Sequence, residues 1–400
     1  VSGACINSKQ SALRYKMKEI CRKIIIFIVL IFCVVIIGQI NVSAESYEEM
    51  MSDIIHESGA DSLHDNISTN AEDFFEKNSV KADEPESILN IKAEDILTEI
   101  KDEIQRNIKL PLKLFSSLMA VIIVSSFAGN LGNTVKIRSC EKITGQICVL
   151  AAISMISEPL SECFYSSVES IRAGAVFMTG FIPVFSGITA AGGGVSSAAS
   201  YSTLIYVAAE AALQLSDSVI MPVLGMCMAL SVVDAVNQAV SLRELINGFR
   251  KAVTRFIVFI MMIFTGLLSI QSIVGTSADS LALKTGRYIA SNFIPVVGSA
   301  VSDAYAALKS SMGLLRGGTG SFGIITLIIM LLPSVVSSGL YYCSMKLAFI
   351  CADIFGESSL SRLFSDMCSV LSVIFSLMVC FAVIMVISTT IVMMTGMSSV

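Results

Sequence analysis

CSVLSVIFSLMVCFAVIMVISTTIVMMT, from Cys368 to Thr395, contains no charged residue. As a helix this stretch rises about 40 Å, and about 20 apolar residues already cross the hydrocarbon core of a bilayer. It therefore sets the class: an all-α, polytopic transmembrane bundle. The pattern recurs outward from it. Further apolar segments lie at about 112–130, 143–160, 174–191, 202–216, 218–236, 254–274, 288–304, 321–333 and 334–352. Those at 202–216 and 321–333 are short for a straight crossing and read as broken or re-entrant helices. Composition agrees, with 54% hydrophobic residues, 15% charged and a mean hydropathy of +0.77. Soluble domains carry about a quarter charged residues, so only a bilayer can take up this much apolar surface.

The membrane part, 111–400, repeats itself. Phe181-Ile182-Pro183-Val184 returns as Phe293-Ile294-Pro295-Val296, and Arg172-x-Gly174 upstream matches Lys284-x-Gly286. Each copy is followed by glycines, Gly192-Gly193-Gly194 and then Gly317-Gly318-x-Gly320. Pro111, Pro222 and Pro333 each head a span, giving a tandem duplication of about 111–221 and 222–332 with a partial copy at 333–400.

Charge sets the expected orientation. Lys136, Arg138 and Lys142 form one basic connector, and Arg243, Arg250, Lys251 and Arg255 form its equivalent. The positive-inside rule puts both in the cytoplasm, so the copies run parallel. Glu158, Glu162 and Glu169, read as a loop after the second span, suit the outside.

Residues 1–44 read as a secretory signal or an N-terminal anchor. Lys16, Lys18, Arg22 and Lys23 precede the apolar run Ile24–Ile37, and Val42-Ser43-Ala44 is a small-residue cleavage pattern. Residues 45–110 then form an acidic extracytoplasmic segment, with 18 acidic and 6 basic side chains between 45 and 109. Ile88, Ile91, Ile96, Ile100, Ile104 and Ile108 recur in it at helical spacing. An isoleucine stripe left in water is an apolar patch, so Ile96, Ile100 and Ile104 are the candidate partner contacts.

Signs of catalytic chemistry are sparse. There is no G-x-x-x-x-G-K-[ST], no G-x-S-x-G and no H-E-x-x-H. His56 and His64 are the two histidines, both in the acidic segment, and read as surface residues. The 11 cysteines lie mostly in apolar runs and read as free thiols. No catalytic, cofactor or metal residue is assigned, and the acidic outer segment argues against nucleic acid. Glu210, inside an apolar segment, is the candidate pathway or helix-contact residue, because ionisable groups in a membrane face a bundle interior or water. Asp234 and Lys346 lie nearer span ends and read as interfacial. Pro183 and Pro295 each free a backbone carbonyl and bend their helices, as in the broken elements of transport proteins.

The signal-like start, the acidic segment, the paired F-I-P-V segments with their glycines and the connector Ser241–Phe249 (SLRELINGF) together resemble the stage III sporulation protein AE family. The resemblance implies an endospore-forming bacterium and a multi-pass protein of the mother-cell membrane that faces the forespore. It implies a core subunit of a secretion-like channel needed for late forespore development. Its implied partners are a separate ATPase, small membrane subunits, ring-forming extracytoplasmic subunits and membrane lipid. The alternatives are a self-contained secondary transporter and a structural scaffold.

Overall fold

The computed structural model describes residues 67–78, 88, 91–135, 138–236, 243–293 and 298–395. The signal-like segment 1–44, most of residues 45–90, and Pro295 lie outside them. Among the described residues every regular element is helical. The outer segment supplies α1 (Thr69–Lys77) and α2 (Ala93–Asn107). The membrane part supplies α3 (Lys109–Val135), α4 (Arg138–Ala191) and α5 (Val195–Leu215). A π-helical turn, Ser216–Ile220, carries α5 into α6 (Met221–Val236). Then follow α7 (Arg243–Phe293), α8 (Gly298–Ile354) and α9 (Ser358–Thr395).

Six of these rods are long and apolar enough to cross a membrane, counting α5, the π turn and α6 as one. The chain is thus a multi-pass membrane protein, but its ten apolar segments merge into fewer, longer helices. Segments 143–160 and 174–191 both belong to α4, which has 54 residues and a length of about 80 Å. The glutamates at 158, 162 and 169 are not in a loop. They occupy the exposed face of α4 at helical spacing, while Leu160, Cys163, Phe164, Ser167 and Ile171 fill the opposite, buried face. A helix can carry charge along one face without ending. Likewise 202–216 is an interior stretch of the 195–236 rod, and 321–333 lies within α8.

The prolines sit differently from one another. Pro111 is in the first turn of α3, whereas Pro159 and Pro183 lie inside α4 and Pro333 inside α8. Pro222 is the second residue of α6, one residue past the π turn. α4 runs on to Ala191, beyond its F-I-P-V segment; of the second F-I-P-V segment only Phe293, in α7, is among the described residues.

The core lies among α4, α8 and α9. Phe181, Phe185, Phe364, Leu371 and Met378 are fully buried there. Phe177, Phe181 and Phe185 stack at 5.8 and 5.4 Å, and Tyr201 meets Phe185 edge-on at 5.1 Å. Gly323 of α8 receives the Phe181 ring: a Cβ there would stand 2.3 Å from it. Gly174 of α4 does the same for Leu327 and Phe381, each at 3.0 Å.

The outer segment is part of this body. The Asp95 carboxylate accepts from the Lys92 N–H at 2.8 Å and starts α2. Ile96 is buried, Ile91 and Ile100 pack on the core, and α2 lies against α8. Ile104 is half-exposed. Phe75 of α1 stacks on Phe322 of α8 at 5.0 Å. Ile96 and Ile100 of the stripe thus turn toward the chain's own core, with α2 lying against α8. Ile96→Ala is expected to loosen α2 by about 2 kcal/mol, read as earlier protease cleavage in α2 with the membrane body intact. Unchanged cleavage would show that Ile96 contributes nothing to the docking.

Candidate functional site

Pro183 lies on the outside of α4, while its motif neighbours Phe181, Ile182 and Val184 are buried. A proline has no N–H to return to the carbonyl four residues back. That carbonyl belongs to Thr179, and Tyr206 of α5 donates its hydroxyl to it at 3.4 Å. The F-I-P-V segment thus anchors a ring in the core and ties α4 to α5. Tyr206→Phe is expected to cost about 1 kcal/mol, measured as thermal stability in detergent. An effect near zero would leave the Thr179 carbonyl to other partners.

Two polar layers cut across the bundle. In the first, Arg250 of α7 donates to the Ser369 hydroxyl of α9. Asp234 of α6 and Asp366 of α9 are 3% and 4% exposed. Cys227 lies within electrostatic reach of both Arg250 and Asp366. Lys346 of α8 stands 4.6 Å from the Phe349 ring and acts on Cys368. Asp234 is thus buried between helices at this layer.

The second layer lies at the opposite end. The hairpin between α4 and α5 turns through Gly193, whose φ is +86°, a value other residues rarely adopt. The first turn of α5 has no cap of its own, because Gly194 stands at the N-cap. Asp279 of α7 supplies one. Its carboxylate accepts from Ser196 N at 2.9 Å, Ser197 N at 3.0 Å and Ser197 Oγ at 2.6 Å. Gly275, one turn earlier, lets α7 approach: a Cβ there would meet Ser197 Cα at 3.2 Å. Nearby, Arg316 of α8 is buried and donates to the Met393 carbonyl at 3.2 Å. Its Nε finds no hydrogen-bond partner among the described residues, and Asp279 acts on it electrostatically. Both glycine stretches singled out in sequence belong here, with Gly192 against Met312 and Gly320 against Met393.

Glu210 is on the exposed side of α5 and accepts from Gln214 at 2.8 Å. It joins a charged stripe. Arg172 of α4 pairs with Asp217 of the π turn at 2.8 Å and with Glu169 at 3.4 Å. Glu158 and Glu162 continue the same exposed face of α4. A second charged group lies on the outer segment, where Lys77 meets Asp102 and Glu99, and Arg106 meets Glu99 and Glu103. The Asp102 hydrogen bond, with Glu99's charge, holds the Lys77 amine above its ordinary range. Among the described residues no cluster of three His, Cys, Asp or Glu side chains could hold a metal.

The sequence pattern of stage III sporulation protein AE matches residues 77–396. The stage III sporulation protein AE of Bacillus subtilis (strain 168) is 25% identical over 216 residues. That match covers 54% of this chain and 54% of the relative, about half the length of each. No solved structure matches. With the family pattern covering α2 to α9 and part of the outer segment before them, the chain belongs to the stage III sporulation protein AE family.

Proposed function

We propose that the chain is a membrane core subunit of a sporulation-specific, secretion-like channel between mother cell and forespore, needed for late forespore development. The family ties it to sporulation. The observation that carries the subunit reading is helix length. α4, α7 and α8 have 54, 51 and 57 residues, about 75–85 Å each, against about 30 Å of hydrocarbon. The bundle therefore stands proud of the membrane and offers surface to other subunits. The outer segment faces the extracytoplasmic side in this reading, and energy comes from a separate ATPase. The tandem copies are read as parallel halves of the membrane part. Tagged chain purified from sporulating cells is expected to bring down an ATPase and ring-forming extracytoplasmic subunits. Recovery of the chain alone, from cells in which those subunits are present, would overturn the proposal.

The buried charges Asp234 and Asp366 favour a second reading, a self-contained transporter, since such groups mark ion paths in membranes. Purified chain in liposomes that moves a solute without any other subunit would establish it.

A further inference from the structure

The two polar layers define a depth scale. Arg250 meets Ser369 at one layer and Arg316 meets Met393 at the other. Ser369 and Met393 are 24 residues apart on α9, about 36 Å along a helix, close to the thickness of the bilayer core. Between the layers α7 carries no charge from 256 to 278, α8 none from 317 to 345, and α9 none at all. α7 also turns Phe259, Met262, Ile263, Ile270 and Ile273 outward, as a lipid-facing helix does.

The other side of the bundle is different at the same depth. Phe381, midway between the layers on α9, packs beside Gly174 of α4. Two residues from Gly174 is Arg172, paired with Asp217. Ser334, near the middle of the uncharged run of α8, bonds to Ser166 and Ser170 of α4. Glu169, Arg172, Glu210 and Asp217 are therefore exposed between the layers, three acids to one base, while Glu162 and Glu158, 12 and 16 residues from Gly174, carry the same face to the edge of the slab and beyond it. Charged groups at the bilayer centre do not face hydrocarbon.

We propose that this face of α4, α5 and the π turn is the wall of a water-filled passage, with α7 on the lipid side. Its net negative charge favours cations and basic groups over anions in transit. The proposal rests on the channel reading for the remaining walls, which other subunits supply. It assigns Glu169, Glu210 and Asp217 to one surface.

The test is thiol accessibility in the full-length, membrane-inserted protein. Glu169→Cys and Glu210→Cys are compared with Ile263→Cys and Ile270→Cys, using a membrane-impermeant cationic methanethiosulfonate and mass shifts over the parent chain. All four sites are exposed, so each variant keeps the core intact. The two stripe positions are expected to react at least 100-fold faster than the two α7 positions. Stripe thiols as slow as those on α7 would mean a face sealed by lipid or by a partner, and no passage. Four equally fast thiols would mean that this depth lies outside the bilayer, which also overturns the proposal. Labelling needs no sporulation. Its failure leaves the co-purification result standing, and a chain that purifies alone leaves the labelling result standing.

Discussion

Gly323→Val is expected to remove the folded protein from the membrane. The reason is local and steric. A Cβ at 323 would stand 2.3 Å from the Phe181 ring, and that ring is fully buried between Phe177 and Phe185. A stacked ring has no free rotamer to retreat into, so the helices must part. Overfilling a packed core by a methyl group costs about 1–3 kcal/mol. That is the expectation for Gly323→Ala, and the two further methyls of valine add to it. The readout is the amount of protein surviving in membrane extracts and its melting in detergent. The cause is checked by a second change. Phe181→Leu alone is expected to destabilise by opening a cavity, but combined with Gly323→Ala it should recover part of both losses. Neighbouring substitutions couple when they share one volume. Simple additivity of the two would show that the contact is not what holds α4 to α8.

The membrane class was legible because it depends on composition along one dimension. Cys368–Thr395 has no charge to place in water, and α9 occupies this stretch. Helix boundaries were less legible because charge was taken as punctuation. Glu158, Glu162 and Glu169 suggest a loop, yet their spacing of four and seven residues keeps them on one helical face. Nothing between 138 and 191 forces a break: Pro159 and Pro183 leave only a carbonyl each to satisfy, and Tyr206 takes the one at Thr179. Gly192–Gly194, by contrast, was read correctly as the end of a segment, since a turn through φ +86° needs glycine.

The polar groups divide along the same line. Glu210 stood out in sequence for its apolar neighbours, and it lies on an exposed face beside the Arg172–Asp217 pair. Asp234 lies near a span end in sequence, and its burial to 3% exposure comes from helix packing that the sequence does not display. Pairing between helices far apart in the chain has no signature in one sequence. Asp279 and Ser197 are 82 residues apart, and Arg250 and Ser369 are 119 apart. The isoleucine stripe was legible as an apolar face, and only the tertiary fold reveals that Ile96 is buried and that α2 lies against α8.

Asp279→Ala tests whether such a remote pairing organises the hairpin end. The carboxylate replaces the cap that Gly194 cannot provide, through three hydrogen bonds to Ser196 and Ser197. Hydrogen bonds to a charged acceptor contribute about 1.5–3 kcal/mol each, and less per bond when they share one group. The expected loss is therefore about 3 kcal/mol for Asp279→Ala, with the nearby Arg316 guanidinium also losing its countercharge. Asp279→Asn keeps one acceptor oxygen and should lose about half as much. The local readout is amide hydrogen exchange. Ser196 and Ser197 should exchange much faster in the alanine variant, while the amides around Ser369, at the other polar layer, keep their protection. Uniform loss of protection would mean that Asp279 supports the whole bundle rather than this end. Unchanged exchange at Ser196 and Ser197 would mean that the α5 terminus holds without it, and that the glycine turn alone sets the hairpin.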